Sequence, residues 1–161
     1  MSNTWRPGEL HARIGNVGRT GRVAMRMSVT EGARMIERQA KINARNGTHK
    51  AGTKTPATRG SGPALISGTL RRSIVQGTEE RLSDQSYARK VGMAAGVYPP
   101  RTIGKKKYGG NTPASKYALY LETRIGYPFL MPAYNLVAPQ IPMIFKKHFD
   151  GLIAMGPNVG R

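Results

Sequence analysis

The chain has 161 residues, with 26 Lys and Arg against 8 Asp and Glu and a formal net charge of +18. This length favours one domain with a buried core, and the charge favours contact with a polyanion, most often nucleic acid. The absence of cysteine excludes disulfides and thiolate metal sites, and because no apolar run approaches the roughly 18 residues that span a bilayer, we expect no membrane segment.

The N-terminal part is predicted to contain an arm and a long helix. Residues 1–21 are polar and punctuated by glycine, and they lack the apolar segment of a secretory signal, so we expect an extended arm. Between residues 22 and 46, apolar side chains recur at helical spacing: Met25, Val29, Ala33, Ile36 and Ala40. Glu37 precedes Lys41 by about one helical turn, which is a favourable pairing, and an Asn-Gly sequence then predicts the helix end.

A basic loop and two strands are predicted in the middle of the chain. Residues 47–68 are rich in Thr, Gly and Pro, which predicts a long loop. Residues 70–77 are typical of a short strand and residues 87–97 of a second strand, with a polar turn over residues 78–86 between them. The Tyr-Pro-Pro sequence that follows ends the second strand, because proline has no N–H to donate.

The C-terminal third is predicted to end in a helix. Residues 98–116 form a second basic loop, and residues 117–123 are a strand or a short helix, between which periodicity alone does not decide. Pro132 suits the first residue of a helix, where its missing N–H is no loss. Pro139 and Pro142 disfavour helix at the residues before them and therefore predict a kink.

Together these elements predict an α+β fold. It comprises a long N-terminal helix, a small antiparallel sheet with long basic loops, and a kinked C-terminal helix. A single domain is expected over residues 22–155, including the loops at residues 47–68 and 98–116. The arm of residues 1–21 precedes it, and a C-terminal tail of residues 156–161 follows it.

Two acid-free windows concentrate the positive charge, one between Glu37 and Glu79 and the other between Asp84 and Glu122. One basic run is often only a solvated surface, but two windows of this length favour contact with a polyanion. The DNA-facing or partner-facing candidates are Lys50, Lys54, Arg59, Arg101, Lys105, Lys106 and Lys107.

The residue patterns typical of enzymes are missing from the sequence. His11, His49 and His148 have no second metal ligand three or four positions away, and His148 is predicted to lie at an interface or on the surface. Glu79 and Glu80 are adjacent on a predicted turn, which does not make a general acid and base. Glycine-rich stretches lack the strand and helix of a phosphate-binding loop. We therefore expect a protein that is not an enzyme and uses no metal or cofactor.

Three segments carry a recognisable pattern: Ser-Gly-Thr-Leu-Arg-Arg-Ser-Ile at residues 67–74, Tyr-Ala-Leu-Tyr-Leu-Glu-Thr at residues 117–123, and Pro-Phe-Leu-Met-Pro-Ala at residues 128–133. In this order and spacing they resemble the small head–tail connector, or tail-completion, family of tailed bacteriophages. That family shows Thr-Gly-x-Leu-(Arg)-x-Ser-(Ile) after the first helix, then Tyr-Ala-x-x-x-Glu, then Pro-Phe-Leu-x-Pro-Ala. The matching residues are Gly68, Leu70, Ser73, Ile74, Tyr117, Ala118, Glu122, Pro128, Phe129 and Pro132.

The motif residues also have physical roles of their own, and these are roles in folding. Gly68 permits a backbone conformation that other residues resist. Leu70 and Ile74 supply apolar contacts at the edge of the sheet. Glu122 stands among apolar neighbours, so we expect it to pair with an arginine or to cap backbone N–H groups. Phe129, between two prolines, is expected to be a buried anchor.

The resemblance implies a structural protein of the virion neck, made in the host cytoplasm. Copies would form a ring, with six subunits to match the tail, through whose lumen duplex DNA passes without sequence-specific contact. Its neighbours would be head-side connector, stopper or portal-associated proteins and, on the other side, tail terminator or tail tube proteins. Residues 47–68 or 101–116 would face the lumen or a neighbouring ring, or would clamp acidic patches on partner proteins.

Two other functions remain open from the sequence. The first is a tail-terminator or minor tail protein of the same phage class. The second is a free-standing, non-specific nucleic-acid-binding protein, such as a ribosomal or nucleoid component. The charge suits this second class, but the aromatic residues form no stacking motif and no helix resembles a recognition helix.

Overall fold

A computed structural model of the chain describes residues 7–45, 59–63, 67–83, 86–100, 102–103, 106–107, 112–124 and 126–155, with side chains from residue 15 onward except at residues 102–107. In chain order it contains α1 (Pro7–Asn43), α2 (Thr69–Ser73), β1 (Ile74–Ser83), β2 (Ser86–Met93), β3 (Thr102–Ile103), β4 (Lys106–Lys107), α3 (Ala114–Thr123), α4 (Leu130–Val137), a 3-10 helix (Ala138–Gln140) and α5 (Ile141–Ala154). This confirms the predicted α+β class with its long N-terminal helix, small antiparallel sheet and kinked C-terminal helix.

The first helix is longer than the sequence predicts. Residues 7–21 belong to α1, so the extended arm predicted for residues 1–21 is wrong from residue 7 onward, while residues 1–6 lie outside the described part. Glycine disfavours a helix interior by about 1 kcal/mol, which is why this stretch looked non-helical. Tertiary packing outweighs that propensity, because a methyl group on Gly21 would lie only 3.9 Å from the ring of Phe149 on α5.

Small residues let two different elements approach α1 on two different faces. Gly32 lies against Ile141 of α5, and Ala24 and Ser28 are buried on the same helical face. Ala33, Ala40 and Ala44 are buried on a second face, and the last two belong to the main core. Of the predicted apolar stripe, only its two alanines are buried and the larger side chains are half-buried.

The main core lies between α1, α2, α3, α4 and the start of the hairpin. Phe129 and Ile74 are its largest fully enclosed side chains, both with no exposed surface, which confirms Phe129 as a buried anchor. The buried members are Ala40, Ala44, Leu70, Ile74, Ala118, Phe129 and Ala133. Because five of these side chains are small or β-branched, the helices can approach closely around the single phenyl ring.

The first strand of the hairpin begins later and extends farther than predicted, and the second ends earlier, at Met93 instead of residue 97. Residues 69–73 form α2 instead of a strand, because one helical turn brings Leu70 and Ile74, four residues apart, onto the same buried side. The predicted polar turn at residues 78–86 is strand as far as Ser83. The side chains of residues 78–83 are mostly exposed, so the sequence shows no apolar alternation there. Antiparallel pairing with β2 and the cross-strand ion pair of Glu80 with Lys90, at 2.9 Å, stabilise this part of the strand.

The second half also corrects two boundaries. The loop predicted at residues 98–116 contains the antiparallel pair β3–β4 and the first residues of α3. Residues 117–123, which the sequence left between strand and helix, are helical. The last helical region begins at Leu130, so Pro132 lies in the first turn instead of at the first position, and its missing N–H still costs no hydrogen bond. The predicted kink is the 3-10 helix, which contains Pro139.

Candidate functional site

The three motif segments, which are far apart in sequence, meet in one place. Leu70 and Ile74 from the first segment, Ala118 from the second and Phe129 from the third all belong to the main core. Gly68 has a positive φ of 71°, which confirms the predicted need for glycine where the loop turns into α2. The motif therefore specifies how α2, α3 and α4 pack together.

Glu122 is the polar centre of this junction. Its Oε2 accepts hydrogen bonds from the backbone N–H groups of Phe129, at 2.8 Å, and Leu130, at 3.1 Å, while its Oε1 accepts one from Met131 at 2.8 Å. These N–H groups lie at the start of α4, where a helix leaves its first donors unpaired and carries partial positive charge. Of the two predicted roles, pairing with an arginine or capping backbone N–H groups, the structure shows the cap.

The turn between α3 and α4 is tied to the end of α1 and to residues 59–63. The amide of Asn43 donates to the carbonyl oxygen of Phe129 at 3.0 Å, and the backbone N–H of Gly60 donates to the carbonyl oxygen of Gly126 at 2.7 Å. Gly126 has a positive φ of 74°, and the side chain of Arg59 covers it so closely that a Cβ would lie 3.0 Å from the arginine Nε. The start of α4 and the turn before it are therefore fixed by Glu122 of α3, by Asn43 at the end of α1 and by residues 59–60.

The remaining motif residues are structural as well. Ser73 is fully buried and its hydroxyl donates to the carbonyl oxygen of Leu70 at 2.8 Å, which closes the short α2. Tyr117 packs against the core. Burial raises the pKa of the Tyr117 hydroxyl, and the positive charge of Arg72 offsets part of that increase. Pro128 is half-buried in the segment before α4.

An uncharged segment runs from residue 125 to residue 145, with no Lys, Arg, Asp, Glu or His in it. Its inward side supplies buried residues, but its outward side exposes large apolar groups. We call these exposed side chains the uncharged surface: Met131, Tyr134, Leu136 and Met143, which are 52% to 69% exposed. On α3, Leu119 and Tyr120 are also exposed. Exposed apolar side chains mark an interaction surface when they form a contiguous patch, and the four of the uncharged surface share one segment that carries no charge.

All six acidic residues whose side chains the structure describes are engaged. Five form ion pairs: Glu31 with Lys147 and His148, Glu37 with Lys41, Glu79 with Arg26, Glu80 with Lys90, and Asp150 with Lys146. The sixth is Glu122 in its helix cap. The predicted Glu37–Lys41 pair is thereby confirmed, at 2.5 Å. Few acids remain to neutralise the other arginines of α1.

A groove of about 630 Å³ lies where α1, β1 and α5 meet. On one side Arg26 donates to Glu79 at 2.7 Å and its guanidinium lies 5.7 Å from the centre of the Tyr87 ring. On the other side His148 contacts Glu31 at 2.5 Å. The side chain of His148 is only 15% exposed, so of the two predicted positions, at an interface or on the surface, it is not the exposed one: it links α5 to α1.

The predicted DNA-facing residues are mostly beyond what the structure describes. Lys50, Lys54, Arg101 and Lys105 lie outside the described residues. Lys106 and Lys107 form β4, of which only the backbone is described. Arg59 is exposed and covers Gly126, so it has a structural contact near the core.

Sequence reasoning missed the two surfaces that the structure does describe. The uncharged segment is visible in the sequence as the absence of charge over residues 125–145. The predicted DNA-facing or partner-facing candidates were all in the charged loops and did not include it. The arginines of α1 were not among these candidates either. Among the described residues no group of His, Asp and Glu could hold a metal ion, and no described helix combines the length and hydropathy needed to cross a bilayer.

Comparison of the chain with family models, with curated proteins and with solved structures finds no match in any of the three. The resemblance to the connector family therefore depends on the three motif segments of the sequence alone. Chemically, the described surfaces offer two things: apolar area for binding a protein and fixed positive charge for binding an anion.

Proposed function

We propose that this protein is a structural component of the neck of a tailed bacteriophage. In this proposal copies of the chain form a ring that joins the DNA-filled head to the tail, and DNA passes through its lumen. The observation that carries it is the presence, on one small domain, of exposed apolar side chains on an uncharged segment together with a helix on which the exposed Arg34 and Arg38 form no ion pair with any described acidic side chain.

Self-assembly of a chain with net charge +18 needs a contact that avoids like charges. Like charges placed opposite each other across an interface cost several kcal/mol, and this cost grows with each added subunit of a ring. The uncharged surface offers such a contact, because its exposed groups are Met131, Tyr134, Leu136 and Met143. Aromatic and methionine side chains are also enriched in protein interfaces.

The remaining positive charge suits the passage of DNA. Duplex DNA carries about one negative charge per 1.7 Å of its axis, and basic side chains around a lumen would screen it without reading its sequence. The loop residues Lys50, Lys54, Arg101 and Lys105 stay candidates for the lumen or for neighbouring proteins. On this proposal the neighbours are head-side connector, stopper or portal-associated proteins and the tail terminator or tail tube. Six copies would match the tail, and the protein would be made in the host cytoplasm.

Complementation of a phage that lacks this gene tests the role of the uncharged surface. The variant Leu136→Glu places a charge there, and Leu82→Glu is the matched control, since Leu82 is similarly exposed but lies near the tip of the hairpin. We expect Leu82→Glu to restore joined, infectious particles and Leu136→Glu to leave heads and tails separate.

Both variants change an exposed side chain, so their free energies of unfolding should stay within about 0.5 kcal/mol of the wild type; thermal melts check this. Full complementation by Leu136→Glu would contradict assembly through this surface. Unjoined particles with both variants would show that added negative charge alone is responsible.

A further inference from the structure

The outward face of α1 and of the turn that follows it carries three arginines in line. Arg34 and Arg38 lie on α1, and Arg45 lies in the turn just after its last residue, Asn43. The backbone N–H groups of Ala44 and Arg45 donate to the carbonyl oxygens of Ala40 and Ile42, so the turn continues the helical path. At separations of four and seven residues the three arginines therefore share one side. All three side chains are exposed, and the face they occupy points away from the buried alanines Ala40 and Ala44. We call this set the arginine stripe.

The acids nearest the arginine stripe in sequence are already engaged elsewhere. Glu37 forms an ion pair with Lys41, and its side chain is only 19% exposed. Glu31 pairs with His148 and Lys147 on α5. Among the described residues no acidic side chain forms an ion pair with a member of the arginine stripe, so its charge is available to an external anion.

We infer that the arginine stripe binds the phosphate backbone of duplex DNA. This rests on the proposed function and assigns the DNA contact to α1. The three residues span about 16 Å along the helix axis, and DNA carries about ten phosphate charges over that distance. Guanidinium groups bind phosphate through two parallel N–H donors, which favours arginine over lysine at such positions.

The composition of this face favours DNA over an acidic protein surface. Protein interfaces have an uncharged centre enriched in aromatic residues, whereas the only exposed large apolar side chain of the described residues on this part of α1 is Ile42. Contacts with phosphates alone do not distinguish one DNA sequence from another, so DNA could slide past the arginine stripe. Arg34 and Arg38, one helical turn apart, have their backbone spacing set by α1.

The test measures DNA binding by the purified full-length chain. Fluorescence anisotropy with a short duplex of arbitrary sequence gives the binding constant over about 50 to 200 mM salt, and each phosphate contact contributes about 0.9 to the slope of log K against log salt. The triple variant Arg34→Gln, Arg38→Gln and Arg45→Gln should lower that slope by up to about 2.7. A triple Arg→Lys variant at the same positions should keep most of the slope.

The matched control removes three exposed positive charges from other elements. Arg71 on α2, Lys116 on α3 and Arg124 just after α3, which like the stripe form no ion pair with a described acid, are changed to Gln, which alters the net charge by the same amount. We expect its slope to stay at the wild-type value. An equal decrease of the slope in the triple Arg→Gln variant and in the control variant would overturn the inference. An unchanged slope in the triple Arg→Gln variant would overturn it as well.

Binding of the wild-type chain to poly-glutamate but not to the duplex would also overturn the inference, in favour of an acidic protein partner. Thermal melts of all variants show whether each remains folded. The proposed neck role is tested separately, by whether heads and tails join in the complementation experiment. Failure of the DNA-binding inference therefore does not contradict the neck role, and failure of the neck role does not decide the DNA-binding result.

Discussion

The carboxylate of Glu122 and the backbone N–H of Phe129 are joined by a hydrogen bond of 2.8 Å, which links the end of α3 to the start of α4. The same carboxylate accepts from Leu130 and Met131. One side chain thus positions both the buried ring of Phe129 and the exposed side chain of Met131. The core and the uncharged surface share this junction.

Loss of this cap should destabilise the fold. We expect Glu122→Ala to lower the free energy of unfolding by about 2 kcal/mol, because hydrogen bonds to a charged group at a helix N-terminus are lost. Glu122→Gln should lower the free energy of unfolding by less, since the amide oxygen of glutamine can still accept a hydrogen bond from these N–H groups. Urea denaturation measures both, with Glu80→Ala as control, because the exposed Glu80–Lys90 pair contributes less than about 1 kcal/mol. Equal losses for Glu122→Ala and Glu80→Ala would contradict the capping role.

Removal of the buried ring of Phe129 should lower the free energy of unfolding more than removal of an exposed side chain elsewhere in the domain. Phe129→Ala creates a cavity in the core and should lower the free energy of unfolding by about 3–5 kcal/mol. Leu119→Ala, at a side chain 66% exposed, should change it by less than about 0.5 kcal/mol. Thermal and urea denaturation give both values. A small effect of Phe129→Ala would mean that the core does not centre on this ring.

The contact of His148 with Glu31 should couple α5 to α1. A double-mutant cycle with His148→Ala and Glu31→Gln should give a coupling free energy of about 0.5–1.5 kcal/mol. The control cycle uses Lys146 and Asp150, an exposed pair within α5, which should give no more than about 0.5 kcal/mol. A coupling no larger than the control would show that the histidine does not fasten the two helices.

The fold should lose stability at alkaline pH through Tyr117. Burial raises the pKa of its hydroxyl above the ordinary value of 10.0, so the unfolded chain releases this proton at a lower pH than the folded chain does. The contribution is therefore fully present below about pH 10 and is lost as the pH rises through the folded pKa. Relative to Tyr117→Phe, the wild type should become less stable above that pH. Parallel stability curves for the two proteins would contradict this.

Local signals in the sequence predicted the features that depend on neighbouring residues. The Glu37–Lys41 pair follows from helical spacing, and glycine at position 68 from the need for a positive φ. Phe129 was identified as an anchor from its apolar, proline-bounded segment. The role of Glu122 was narrowed to two possibilities, because an acid among apolar residues needs a partner, but its donors follow it by seven to nine residues across a turn.

Features that depend on distant contacts were missed. The helix over residues 7–21 contains several glycines, and of these Gly21 lies against Phe149 of α5, a contact that the sequence does not show. The strand continues through residues 78–83 because of pairing with β2, without apolar alternation. The arginine stripe needed the positions of the acids on α1 and α5, which sequence alone does not give.

Electron microscopy of lysates from a tailed phage whose copy of this gene is disabled tests the central claim most directly. If the protein joins head to tail through its ring, the lysates should contain DNA-filled heads and finished tails that remain separate. Adding back the wild-type protein should restore joined particles. Intact, infectious particles in the absence of the protein would contradict the neck function.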